Sequence, residues 1–199
     1  MTSRNILYCA DNSAIASINI ARALASVAQI SSVEPPLNDL TQSEINEIFN
    51  KVRNEDRAID VIVIYVSDNY LDDNGKNLEK SWEDIFNRRM RNTFLFVQAA
   101  NSFFEDGLCE IVILFERAIV ENGNAYPLVQ FVLKETLTEL VKSFPKSASN
   151  SGVSIHMIEF PVRKDDIETN RLHNTATRVI DSIDFIVRYL GSGSVTTLD

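Results

Sequence analysis

The chain has 199 residues with a formal net charge of −9 and an isoelectric point near 4.8, which argues against a general binder of nucleic acid or of anionic membranes. No apolar run is long enough to span a bilayer, and the opening MTSRNILY lacks the layout of a signal peptide, so one soluble cytoplasmic domain over residues 1–199 is expected. Cys9 and Cys109 both sit in apolar strand-like segments and read as buried reduced thiols, not as a disulfide framework or a metal site.

Residues 5–9 read as a short buried strand. Residues 14–27 then read as a helix, with Ile15, Ile18, Ala21, Leu24 and Ala25 at helical spacing. In a dinucleotide-binding fold, the turn between such elements is where a pyrophosphate rests. Such turns use glycines: one for the sharp turn, one for close backbone approach to phosphate, one for close packing of helix on strand. Here there are none.

CADNSAIA at residues 9–16 resembles the opening TGxxxGIG pattern of the short-chain dehydrogenase/reductase family, whose three glycine positions fall on Ala10, Ala14 and Ala16. Each methyl group occupies space that a turn or a phosphate would need, and alanine does not readily adopt positive φ. Asp11 adds a negative charge beside the place where a diphosphate would lie.

Residues 29–33 form a possible second strand. Thr41 and Glu44 then have capping-box spacing, ahead of a helix with Ile45, Ile48, Phe49 and Val52 on one face. LNDLT at 37–41 is similar to the family's D-[VL]-T, which puts Asp39 in the position beside adenine; an aspartate near a helix start also has a capping explanation. The interval between Ala25 and Asp39 is short by roughly one helix–strand unit on usual βα lengths. The resemblance therefore implies an incomplete adenosine side.

DVIVIYVS at 60–67 is a continuous β-branched run, the mark of a strand buried on both faces of a parallel sheet. It is similar to the family's DVLVNNAG, with Ile64, Tyr65, Val66 and Ser67 in place of NNAG, so larger groups stand where small ones leave room for cofactor. Residues 68–80 form a polar loop. Residues 82–104 read as a long helix capped by Ser81 and resembling a family helix through Phe94, Gln98, Ala99 and Ala100. Its catalytic asparagine aligns with Arg89, in a basic group with Arg88 and Arg91. That group reads either as a solvated face or as a set that pairs with a partner's acidic groups or an anionic ligand.

CEIVILFE at 109–116 is a further buried strand, and the family's catalytic serine falls near Phe115 and Glu116. Phenylalanine has no hydroxyl to offer, and a glutamate would place an anion where an oxyanion should be stabilised. The helix over 125–144 is similar to the one carrying YxxxK. Tyr126 matches, but the lysine is replaced by Gln130, which cannot lower a tyrosine pKa by charge. Lys134 lies one turn on, about 6 Å further along the axis. The strand over 152–160 is similar to the family's GIRVNxIxPG, with Phe160 and Pro161 where Pro-Gly would close over nicotinamide. His156 on that strand reads as a core or edge histidine, and with His173 as the one other histidine no zinc or triad pattern forms. Residues 175–190 make a final amphipathic helix capped by Gly191, and the family would form a last strand in GSGSVTTLD.

The resemblance thus implies a Rossmann-like, doubly wound parallel α/β sheet of about six strands with helices on both faces. It also implies loss of the cofactor-binding and catalytic groups: a pseudoenzyme with no cofactor, metal or catalytic residue of its own. The expected partner is a homologous active dehydrogenase subunit, in a hetero-oligomer such as a tetramer, or a second copy of this chain. In design this is similar to the cofactor-less subunit of heterotetrameric 2-[hydroxy(phenyl)methyl]succinyl-CoA dehydrogenase, which extends the expectation to an acyl-CoA or aromatic-acid intermediate. The helices over 82–104 and 125–144 are the family's assembling pair, and Phe96, Phe103, Phe104 and Phe131 are the interface candidates. The alternative is a cofactor-independent enzyme of the same fold, similar to the halohydrin dehalogenases, using Tyr126.

Overall fold

The computed structural model describes residues 4–10, 15–32, 40–54, 58–67, 89–104, 109–118, 127–147, 152–162, 172–189 and 192–198. Strands and helices alternate from β1 (Asn5–Ala10), α1 (Ile15–Ala25), β2 (Gln29–Ser32) and α2 (Gln42–Asn54) to β3 (Val61–Ser67) and α3 (Arg91–Phe103). They continue through β4 (Cys109–Ala118), α4 (Pro127–Ser147), β5 (Val153–Val162) and α5 (Leu172–Tyr189) to β6 (Ser194–Thr197). The six strands form one sheet in the order β2-β1-β3-β4-β5-β6, and every pairing is parallel. The Rossmann-like reading of the sequence holds, including the last strand. No helix among the described residues is long and apolar enough to cross a membrane.

Side-chain alternation divides the core in two. Leu7, Cys9, Ile62, Ile64, Ile111, Ile113 and Phe115 pack on one face against α2, α3 and α4, through Phe49, Phe96 and Leu137 among others. Ile6, Tyr8, Val63, Tyr65, Leu114 and Phe160 pack on the other against α1 and α5, through Leu24 and Val179. Both cysteines are free and buried, and burial pushes the Cys109 thiol well above its usual range.

Local chemistry sets the element ends. The Thr41 N–H donates to Glu44 Oε2 at 2.8 Å, and the Glu44 N–H to Thr41 Oγ1 at 3.3 Å, which is the expected capping box of α2. Those contacts with Thr41 hold the Glu44 carboxyl below its usual range. Gly193, at φ 91°, makes the turn into β6, a conformation that costs glycine little. At the first βα corner the Tyr8 hydroxyl donates to the Ser17 carbonyl at 3.1 Å and shares a hydrogen bond with Ser17 Oγ at 3.0 Å, tying α1 to β1.

Candidate functional site

The order of strands reverses between β1 and β3: β2 lies to one side of β1, and β3 to β6 follow on the other. In open α/β sheets ligands bind outside the carboxyl ends of the strands at such a point. The residues there are Ala10 at the end of β1 and, directly opposite it in register, Tyr65 on β3. Ser67 ends β3 opposite Glu116 on β4.

Beside this corner, across β3, β4 and β5, buried side chains of the chain pack on one another. Tyr65 and Phe160 are both fully buried, with ring centroids 6.0 Å apart and planes inclined at 55°. Tyr65 donates its phenolic hydrogen to Glu116 Oε2, and Arg89 donates from Nη1 to the Ser67 carbonyl. Glu116, Ser67 and Arg89 are all buried. Burial pushes the Glu116 carboxyl above its usual range, while hydrogen bonds from Tyr65 and Ser67 and the nearby Arg89 charge pull it back.

These positions correct one expectation. Arg89 does not lie on a solvated basic face; its guanidinium is inside, beside Glu116, whereas Arg91 is exposed. Glu116 is enclosed, with the hydroxyls of Tyr65 and Ser67 and the Arg89 charge about its carboxyl.

A second polar cluster lies on the other face, also toward the carboxyl ends. Glu159 on β5 is completely buried and accepts from Lys134 Nζ at 2.7 Å and from Thr197 Oγ1 at 3.2 Å. Arg117 Nε stands 3.6 Å from Glu159 Oε1. Lys134 therefore faces β5 as an ion-pair partner, which the YxxxK comparison did not anticipate. The signal was present: a charged residue inside the apolar run IHMIEF needs a partner. On the same strand His156 is fully buried, with Nε2 2.9 Å from Glu110 Oε2, the core histidine expected.

The interface candidates separate. Phe96 is wholly buried in the chain's own core, 5.1 Å from Phe49 between ring centroids, so it offers no surface to a partner. Phe103 and Phe104 are half-buried, 5.3 and 6.3 Å from the same ring. The reason is helix phase: positions 96 and 103 are two turns apart and share the inward stripe of α3. Phe131 is 59% exposed, and Phe94, not among the candidates, is 52% exposed. Asp11, Ala14, Asp39, Arg88 and Tyr126 lie outside the described residues, as does the expected loop at 68–80. No group of metal ligands forms among the described residues.

The chain superposes along its whole length on solved dehydrogenases. ElxO with NADP bound gives a TM-score of 0.69 at 16% identity, covering 100% of this chain and 98% of that one. The fold is that of the short-chain dehydrogenases. A short-chain dehydrogenase from Leptospira borgpetersenii serovar Hardjo-bovis with bound NAD+ gives 0.66 at 14%, covering 99% and 92%. The 2-keto-3-deoxy-D-gluconate dehydrogenase from Streptococcus agalactiae gives 0.63 at 13%, also covering 99% and 92%. No protein-family model matches the sequence, and no curated protein matches it.

The fold family implies a nicotinamide dinucleotide, and the residues at the switch point do not fit one. A tyrosine ring and a buried carboxyl occupy the β3–β4 corner beside that point, and Phe160 backs them.

Proposed function

We propose that this chain is a non-catalytic member of the short-chain dehydrogenase/reductase family that works as a cytoplasmic subunit assembled with an active homologue. The observation that supports the reading is the buried Tyr65–Glu116 hydrogen bond, packed with Phe160 at the carboxyl ends of the strands beside the strand-order reversal. On this reading the buried, hydrogen-bonded pair serves the chain's own packing where a dinucleotide site would need open space. The dinucleotide and the chemistry then belong to the partner.

The assembly surface on this reading is the outer side of α3 and α4, where Phe94 and Phe131 stand exposed. A large apolar ring in water gains about 1.5–3 kcal/mol on full burial, so two of them favour a protein contact. The arrangement is a hetero-oligomer, a tetramer by analogy with other paired subunits of this fold, acting on an acyl-CoA or aromatic-acid intermediate.

Co-expression with intact short-chain dehydrogenases of the same genome, any neighbouring gene product first, followed by native mass measurement, tests the proposal. A stable complex containing this chain and an intact reductase is expected. A chain that stays monomeric and stable, and joins none of them, overturns the reading.

A further inference from the structure

Arg117, Lys134 and Glu159 bring two cations to one carboxylate, at the carboxyl ends of β4 and β5 and beside the end of β6. Glu159 is 0% exposed, while the Arg117 and Lys134 side chains remain 40% and 35% exposed. The cluster therefore has a dry anionic floor and a solvent-facing cationic rim, with one positive charge in excess on a chain whose net charge is −9. Among the described residues, Glu159 is the one anion that pairs with either cation.

The two cations are not equally engaged. Lys134 and Thr197 already satisfy Glu159 Oε2 at 2.7 and 3.2 Å. Arg117 stands further off, at 3.6 Å, and its Nε and the facing Glu159 Oε1 both lack a hydrogen bond. A guanidinium carries five N–H donors in a planar fork, and the ion pair with Glu159 engages this one at its buried Nε edge, with the side chain 40% exposed. Fork geometry of that kind matches carboxylate and phosphoryl oxygens. The sheet end on which it sits is the end where open α/β sheets take ligands.

We propose that Arg117 and Lys134 form a binding site for a small oxyanion, a carboxylate or phosphoryl group, with Glu159 as the buried residue that positions both. The site lies on the sheet face opposite the Tyr65–Glu116 corner. It does not depend on the non-catalytic reading, because neither cation takes part in filling that corner.

Titration calorimetry on the full chain, with inorganic phosphate and separately with malonate at ionic strength matched by sodium chloride, tests the site. Saturable binding of at least one anion is expected, weakened about tenfold or more by Arg117→Gln and partly retained by Arg117→Lys. Arg117 is exposed enough for both variants to keep the fold, which far-UV circular dichroism checks. Binding of phosphate alone assigns a phosphoryl ligand, and binding of malonate alone a carboxylate. No heat from either anion beyond chloride overturns the proposal, and so does equal affinity in the wild type and Arg117→Gln.

Discussion

Tyr65 on β3 donates its hydroxyl hydrogen to the carboxyl of Glu116 on β4, two residues past its own register partner Leu114. Both side chains leave the sheet on the same face, and neither reaches water. The contact lies between β3 and β4, one strand pair along from the β1–β3 reversal of strand order, where open α/β sheets take ligands.

Removing the hydroxyl should be felt directly. Tyr65→Phe takes one of its two hydrogen-bond partners from the buried Glu116 carboxyl, leaving Ser67, and should lower unfolding free energy by about 1–2 kcal/mol in urea titrations. An unchanged midpoint would mean that the hydrogen bond contributes nothing to the fold.

Glu116 also makes stability depend on pH. Its folded-state pKa is raised by burial, so the folded state holds this proton more tightly than the unfolded chain. Its contribution is therefore fully present below the ordinary glutamate range and is lost as pH rises through the elevated folded value. Urea unfolding across that window should show stability falling with pH in the wild type and a flatter profile in Glu116→Gln.

On the opposite face, Lys134→Met leaves Glu159 buried with Arg117 as its remaining cation. The loss should be about 2–3 kcal/mol, below that of a fully buried pair because Lys134 is a third exposed and Arg117 stays. Adding Glu159→Met should restore much of it, since an apolar pair of similar volume removes the desolvated charge. Thermal or urea unfolding of the single and double variants reads both effects.

The phenylalanines should divide by burial. Phe96→Ala should cost about 3–5 kcal/mol of stability through the cavity it leaves. Phe94→Ser and Phe131→Ser should change the isolated chain by no more than about 0.5 kcal/mol, and should reduce the fraction found in complex with a partner. Native mass spectrometry of co-expressed material measures the second effect.

Much of this was legible in the sequence, for identifiable reasons. The runs at 60–67 and 109–116 are rich in β-branched residues, so burial on both faces follows from composition, and the spacing of Thr41 and Glu44 marks the start of α2. What could not be read was which polar residues meet. Tyr65 and Glu116 are 51 positions apart, and their contact is created by the β3–β4 register. Arg89 sat in a basic run that looks solvated in one dimension; the fold turns that one side chain inward. Aligning Lys134 with a family lysine hid its role, because its partner Glu159 is on another strand.

Titrating the purified chain with NADPH and NADH by calorimetry measures most directly whether Tyr65, Glu116 and Phe160 have taken the coenzyme's place. No saturable heat up to about 1 mM of either nucleotide is expected. A micromolar dissociation constant, with nucleotide density along the β1–α1 corner in a soaked crystal, would contradict it.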